Sequence, residues 1–211
     1  MFDIEYKGAN SVVISTKKTT IVIDPKLSLV GLKDLVVKDA VELATEERFA
    51  TNSDAIKLHV EGPGEYGFTD FDVTGIEAQR HLDTEKDELK STMYRIETGD
   101  VRIALIGNIY EKLSEDQLER LGVTDVLILP VGGNGYTLDG TGAATITRQI
   151  GPKIVIPVHY ADPALNYEVP QDPIDIFVKE LGAPVEEMAK LKIKQASALP
   201  AVLTVYQLNR S

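Results

Sequence analysis

The sequence predicts an α/β protein in which two β-sheets pack face to face with helices outside them. Two observations carry this. The first half is rich in short alternating strands broken by turn residues, and the second half alternates apolar strands with helices that carry start and stop signals. At 211 residues the chain can bury a large core without staples, and we read it as one domain spanning 1–211.

Residues 2–24 read as three antiparallel strands, because Phe2-Ile4-Tyr6, Val12-Ile14 and Ile21-Ile23 alternate at period two. Pro25 stops the third, since proline cannot donate to a ladder and restricts Asp24 before it. Leu32 to Val37 is expected as a short helix, Ile56 to Val60 as a buried strand and Gly62-Pro63-Gly64 as a turn. Phe71 to Ala78, Thr92 to Thr98 and Val101 to Ile106 read as strands, the last two joined by a Gly99-Asp100 hairpin turn. Asp83 to Lys90 reads as an exposed loop.

A Ser114-x-x-Gln117 capping box opens a helix that Gly122 closes. Val126 to Val131, Ile154 to Val158 and Val202 to Leu208 are apolar strands. Between them fall helices Gly142 to Ile150 and Pro173 to Leu181, the latter with Asp172 as N-cap and Gly182 as stop.

Composition narrows the functional classes. The 33 acidic against 22 basic residues give a net charge of −11, which opposes the counterion release that drives nucleic-acid binding. No run has the apolar length of a membrane span, so neither nucleic acid nor membrane is expected as a partner. The acidic, alternating start Met1–Tyr6 is unlike the basic start of a signal peptide, and a cytoplasmic setting is expected. Zero cysteines exclude disulfides, thiolate zinc sites and a cysteine nucleophile. No Gly-x-Ser-x-Gly elbow points to a serine hydrolase.

The ordered landmarks Ile23-Asp24-Pro25, Gly62-Pro-Gly-Glu-Tyr66, Gly75-Ile76, Tyr94-Arg-Ile96, Ile106-Gly-Asn108, Leu129-Pro-Val-Gly-Gly133 and Ile154-Val-Ile-Pro-Val-His-Tyr160 resemble the metallo-β-lactamase superfamily. Within it they resemble the short Zn-dependent hydrolase branch that also holds the ascorbate-phosphate lactonase-like proteins. The resemblance runs from about residue 2 to about residue 208 and implies a four-layer αβ/βα sandwich of two mixed sheets with outer helices.

In that family the strand after Asp-Pro is followed by His-x-His-x-Asp-His, which supplies most of a dinuclear metal site. Here Leu43-Ala-Thr-Glu-Glu-Arg-Phe-Ala-Thr-Asn52 occupies the place, with Thr45, Glu47, Phe49 and Ala50 at the four ligand positions. Phe and Ala have no metal-binding atoms. The resemblance further places His81 and His159 at metal-site histidines and Asn108 where a carboxylate would bridge two ions; an amide carries no charge to balance them. A catalytic zinc takes imidazole and carboxylate ligands at about 2.0 to 2.2 Å. The residues present leave two accounts open: a one-metal site of His81, His159 and Glu47, or relic histidines hydrogen-bonded to Asn108, Thr45 or water in a polar cleft.

Other groups have blander accounts beside functional ones. His59 matches no motif and reads as a surface or hydrogen-bonded core residue, and Glu65 as structural within its turn. Gly132-Gly-Asn-Gly135 either offers N–H groups to an anion or borders the cleft. Asp83, Glu85, Asp87 and Glu88 either attract a cation or form a solvated loop.

Two functions follow. One is a degenerate, non-catalytic protein that binds a small molecule or a protein partner, with no cofactor or with zinc at low occupancy. The other is a hydrolase of a small phosphorylated or lactone-type substrate using one metal. A third, purely structural class would use the exposed edge strands of the sandwich for homo-oligomer contacts.

Overall fold

The computed structural model describes residues 1–82 and 90–211. The loop expected at 83–90, and with it the acidic run Asp83, Glu85, Asp87 and Glu88, lies outside the described residues apart from Lys90.

Two mixed sheets form the molecule. The six-stranded sheet begins with β1 (Phe2–Gly8), β2 (Ser11–Ser15) and β3 (Thr20–Ile23), an antiparallel meander as the alternation predicts. It continues in parallel through β4 (Val41–Leu43) to the edge strand β5 (Leu58–Val60). The eight-stranded sheet opens with the antiparallel run β6 (Gly64–Phe68), β7 (Phe71–Ala78), β8 (Ser91–Thr98) and β9 (Val101–Leu105). Beyond β9 it is parallel, through β10 (Val126–Pro130), β11 (Ile154–Val158), β14 (Thr204–Leu208) and the edge strand β12 (Val185–Met188). Short β13 (Leu191–Ile193) returns to the first sheet beside β1.

The alternation within each strand assigns its faces. On β10, Val126 and Ile128 point into the layer between the sheets, where they meet Ile4, Ile14 and Ile23. Leu127 and Leu129 point the other way, into a second core under the helices. Strands buried on both faces must be apolar throughout, and β10 and β11 are.

Helices α1 (Glu115–Leu121), α2 (Gly140–Ile150) and α3 (Ile174–Leu181) cover the eight-stranded sheet. The capping box of α1 forms as expected: Gln117 N–H donates to Ser114 Oγ at 3.1 Å and Ser114 N–H to Gln117 Oε1 at 2.9 Å. Helix α2 starts two residues earlier than expected, because the Asp139 side chain accepts from Gly142 N–H at 2.7 Å.

Three expectations need correction. Leu32 to Val37 is not helical; the outer face of the six-stranded sheet is covered by irregular chain after a 3-10 turn at Leu27–Val30. The Asp34 carboxylate accepts from Ser28 N–H at 2.7 Å and Leu35 N–H donates to Pro25 O at 2.9 Å, so local bonds replace the helical ladder. Asp172 does not cap α3, which Pro173 precedes without a side-chain bond. Instead Asp172 Oδ1 accepts from Asn134 Nδ2 at 3.2 Å and its N–H reaches Gly132 O, tying down the glycine loop. Ile56 lies outside the strand it was expected to begin, and Leu58 within it is exposed.

Candidate functional site

The C-terminal ends of β3, β4, β9 and β11 converge with the Ala9–Asn10 turn at one end of the sandwich. Ligand sites in open α/β sheets gather at such strand ends. Asp24 leaves β3 and His159 leaves β11 with left-handed φ angles of 46° and 49°. With Ala9 at 48°, three non-glycine residues in that region at one site mark a backbone held by its surroundings.

Asp24 is buried, and both of its oxygens face Thr45: the Thr45 N–H donates to Oδ1 at 2.7 Å and the Thr45 hydroxyl to Oδ2 at 2.6 Å. Burial pushes the Asp24 carboxyl up to about 7, against the lowering effect of those two bonds. Thr45 also packs on the next loop, since a Cβ at Gly107 would lie 2.7 Å from Thr45 Cβ.

Asn108 is 1% exposed and its Oδ1 accepts from Asn10 Nδ2 at 3.1 Å. His81 N–H donates to Asn108 O at 2.9 Å, and His159 N–H to Ala9 O at 2.8 Å. The structure therefore links His81 and His159 through the Asn108–Asn10 pair. The ring of half-buried His81 is committed elsewhere, its Nδ1 lying 3.3 Å from Ile109 O.

The His159 imidazole is almost wholly buried between Tyr136, stacked at 5.3 Å, and Tyr167, tilted at 5.0 Å. Both ring nitrogens lack a hydrogen-bond partner, as do Asn10 Oδ1 and Asn108 Nδ2. Burial, with the Arg48 charge second, holds the imidazole neutral and pulls its pKa down to about 3. Beside it lies a cavity of about 30 Å³ walled by Leu27, Val30, Phe49, Tyr136 and Tyr167, with Asp24, Asn10, Lys26 and Glu168 also lining it. That volume holds about two waters.

Of the four positions matched to the lost metal motif, Thr45 is bound to Asp24, Glu47 is exposed, and Phe49 and Ala50 are buried. Glu47 starts a 3-10 turn, Glu47–Phe49, that carries its carboxylate outward. Glu46, not Glu47, is the buried acid of the segment; Arg48 donates to it at 2.9 and 3.3 Å, and Arg80 Nη1 lies 3.5 Å away. Among the described residues no group of three His, Asp or Glu side chains is placed to hold an ion, so His81, His159 and Glu47 are not assembled as one. These residues do not fit the metal centre of the family: two positions lack donor atoms, one points outward, and Asn108 brings no charge.

The other candidates fall into structural roles. His59 Nδ1 lies 3.2 Å from buried Glu42, whose carboxylate also holds Thr51 N–H at 2.9 Å. Glu65 is an exposed residue of β6. The Pro-Val-Gly-Gly motif has a steric cause: a Cβ at Gly132 would come 2.2 Å from the His159 carbonyl oxygen, and Gly133 takes a φ of 66°. Sequence reasoning missed Glu46, Arg48, Tyr136 and Tyr167. Only Glu46 and Arg48 carried a signal, as charged residues beside positions that the motif leaves variable.

This geometry, metal-type loops at the shared end of two sheets, is that of the metallo-β-lactamase fold. The chain belongs to the metallo-β-lactamase superfamily: residues 3–159 match the family described as beta-lactamase superfamily domain. A UPF0173 protein of Pyrococcus furiosus is 36% identical over 94 residues, 42% of this chain and 43% of that protein, so the match spans less than half of the relative. Among solved structures, an inferred Zn-dependent hydrolase of the superfamily from Thermotoga maritima matches with a TM-score of 0.73 at 20% identity, covering 99% of this chain and 100% of the other. A metallo hydrolase from Ignicoccus hospitalis matches with a TM-score of 0.63 at 18% identity, covering 92% and 99%. At these identities the structures establish the shared fold.

Proposed function

We propose that the chain is a degenerate member of the superfamily, from the short Zn-dependent hydrolase branch with the ascorbate-phosphate lactonase-like proteins, that binds a ligand or partner without hydrolysing it. Phe49 and Ala50 carry this reading: both are buried at ligand positions, where no donor atom can reach a metal. A metal-assisted hydrolase needs an ion to acidify water and to polarise the substrate, and these side chains supply neither.

The ligand site lies around the cavity beside His159, whose volume of about 30 Å³ admits waters or the polar tip of a larger ligand. Buried polar atoms without partners cost roughly 1–3 kcal/mol each, so the His159 nitrogens and Asn10 Oδ1, on residues that line the cavity, favour an occupant that bonds to them. A net charge of −11 supports partners other than nucleic acid.

The test is metal content and turnover of the purified protein. We expect well under one zinc per chain, and hydrolysis of phosphodiester and lactone substrates no faster than by a His159→Ala control. Stoichiometric metal, with activity abolished in His159→Ala, would establish the one-metal hydrolase of His81, His159 and Glu47 instead.

A further inference from the structure

Two acids are buried at this end of the sandwich, Asp24 and Glu46, each 4% exposed. Asp24 is met by two bonds from Thr45. A buried carboxylate without a counter-charge is strongly destabilising, so Glu46 needs a cation beside it.

Arg48 stands where that charge is needed, at a variable position between Glu47 and Phe49. Its Nε and Nη2 fork onto the two oxygens of Glu46 at 2.9 and 3.3 Å, the geometry that distinguishes a guanidinium from an ammonium. The guanidinium carbon lies 4.7 Å from the centre of the Phe49 ring and 5.2 Å from that of Tyr136. Tyr136 in turn stacks on His159. The cation is thus one ring removed from the histidine at the last ligand position, and it contacts Phe49, which occupies another. Both aromatic contacts are favourable to a desolvated cation.

We infer that Arg48 is the counter-charge that keeps Glu46 buried, a guanidinium whose two ring contacts join the Glu47–Phe49 turn to Tyr136 at the wall of the His159 cavity. The inference rests on the metal-free reading of the site and deepens it: a bonded cation and two aromatic rings order the segment that stands where the family carries its metal motif. Arg80, at 3.5 Å from Glu46, supports the same acid from the β7 side.

The test separates charge from packing. Arg48→Met keeps the apolar stem and removes the charge; Arg48→Lys keeps the charge and loses the fork. Thermal unfolding should show Arg48→Met melting about 5 °C or more below wild type, with Arg48→Lys between the two. In Arg48→Ala, methylguanidinium at about 20 mM should restore roughly half of the lost Tm while equimolar sodium chloride does not, and the wild type should not respond. Arg48→Met as stable as wild type or as Arg48→Lys would overturn the inference, and so would equal rescue by sodium chloride. Stoichiometric zinc in the wild-type protein would overturn the metal-free reading beneath it, whatever the variants show.

Discussion

The Thr45 hydroxyl donates to Asp24 Oδ2 at 2.6 Å while the Thr45 N–H donates to Oδ1 at 2.7 Å, so one residue satisfies both oxygens of a buried acid. Thr45 stands at the first position that the resemblance matches to the family's metal motif. The contact is therefore directed away from any ion and into the protein, where it links the ends of two parallel strands.

Asp24 gives the first prediction. Its carboxyl titrates near 7 in the folded protein against 3.8 for an unperturbed group, so the folded state binds more protons than the unfolded one between those values. Its contribution falls as pH rises from about 4 to 7, by on the order of 4 kcal/mol in all. Asp24→Asn keeps the shape and can keep both bonds, its amide oxygen accepting from Thr45 N–H and its amide N–H donating to the Thr45 hydroxyl oxygen. Measured by urea unfolding at several pH values, its stability relative to wild type should increase from pH 4 to pH 8. A variant less stable than wild type at pH 8 would show that the ionised carboxylate is held by a cation.

His159 contributes with the opposite sign. Its folded pKa is pulled from 6.5 to about 3, so the unfolded state binds the extra proton in that window and stability is lost as pH falls through it. Over pH 4 to 6.5 the two groups offset each other, each exchanging about one proton. His159→Phe keeps a ring between Tyr136 and Tyr167 and removes the titration. Relative to wild type it should gain stability as pH is lowered from 6.5 to 4, and a parallel pH profile would refute the assignment.

Strands with strong alternation, such as Phe2–Gly8 and Phe71–Ala78, were legible because one face meets the core and the pattern records it. The edge strand Gly64–Phe68 was not, since it has only partly buried or exposed positions and begins inside the Gly62-Pro63-Gly64 segment that reads as a turn. The non-helical 32–37 segment was misread because its order comes from the Asp34 and Pro25 bonds. At the site, the missing donors of Phe49 and Ala50 were visible as residue types. The roles of Glu46 and Arg48 were not, because which of two adjacent acids faces inward is set by the 3-10 turn at Glu47–Phe49.

The core between the sheets is continuous from Phe2 to Leu208 and contains none of the four matched ligand positions Thr45, Glu47, Phe49 and Ala50. Folding should therefore be independent of metal. EDTA should leave Tm unchanged, and a fall of many degrees would show that a bound ion contributes to the folded state.

The last prediction concerns the glycine loop that borders the cleft. At Gly132 a methyl group would meet the His159 carbonyl oxygen at 2.2 Å and Gln171 Oε1 at 2.3 Å, the first of which is backbone and cannot rotate aside. Gly132→Ala must separate the ends of β10 and β11, whose bond from Val131 N–H to Val158 O is 3.0 Å. Gly135 offers the control. It has a φ of 73° and nothing within 4 Å, so Gly135→Ala bears only the left-handed backbone penalty of about 1 kcal/mol. Gly132→Ala should lose more than that, about 2–3 kcal/mol by urea unfolding. Equal losses in the two variants would mean that the close approach of His159 to Gly132 is not maintained in solution.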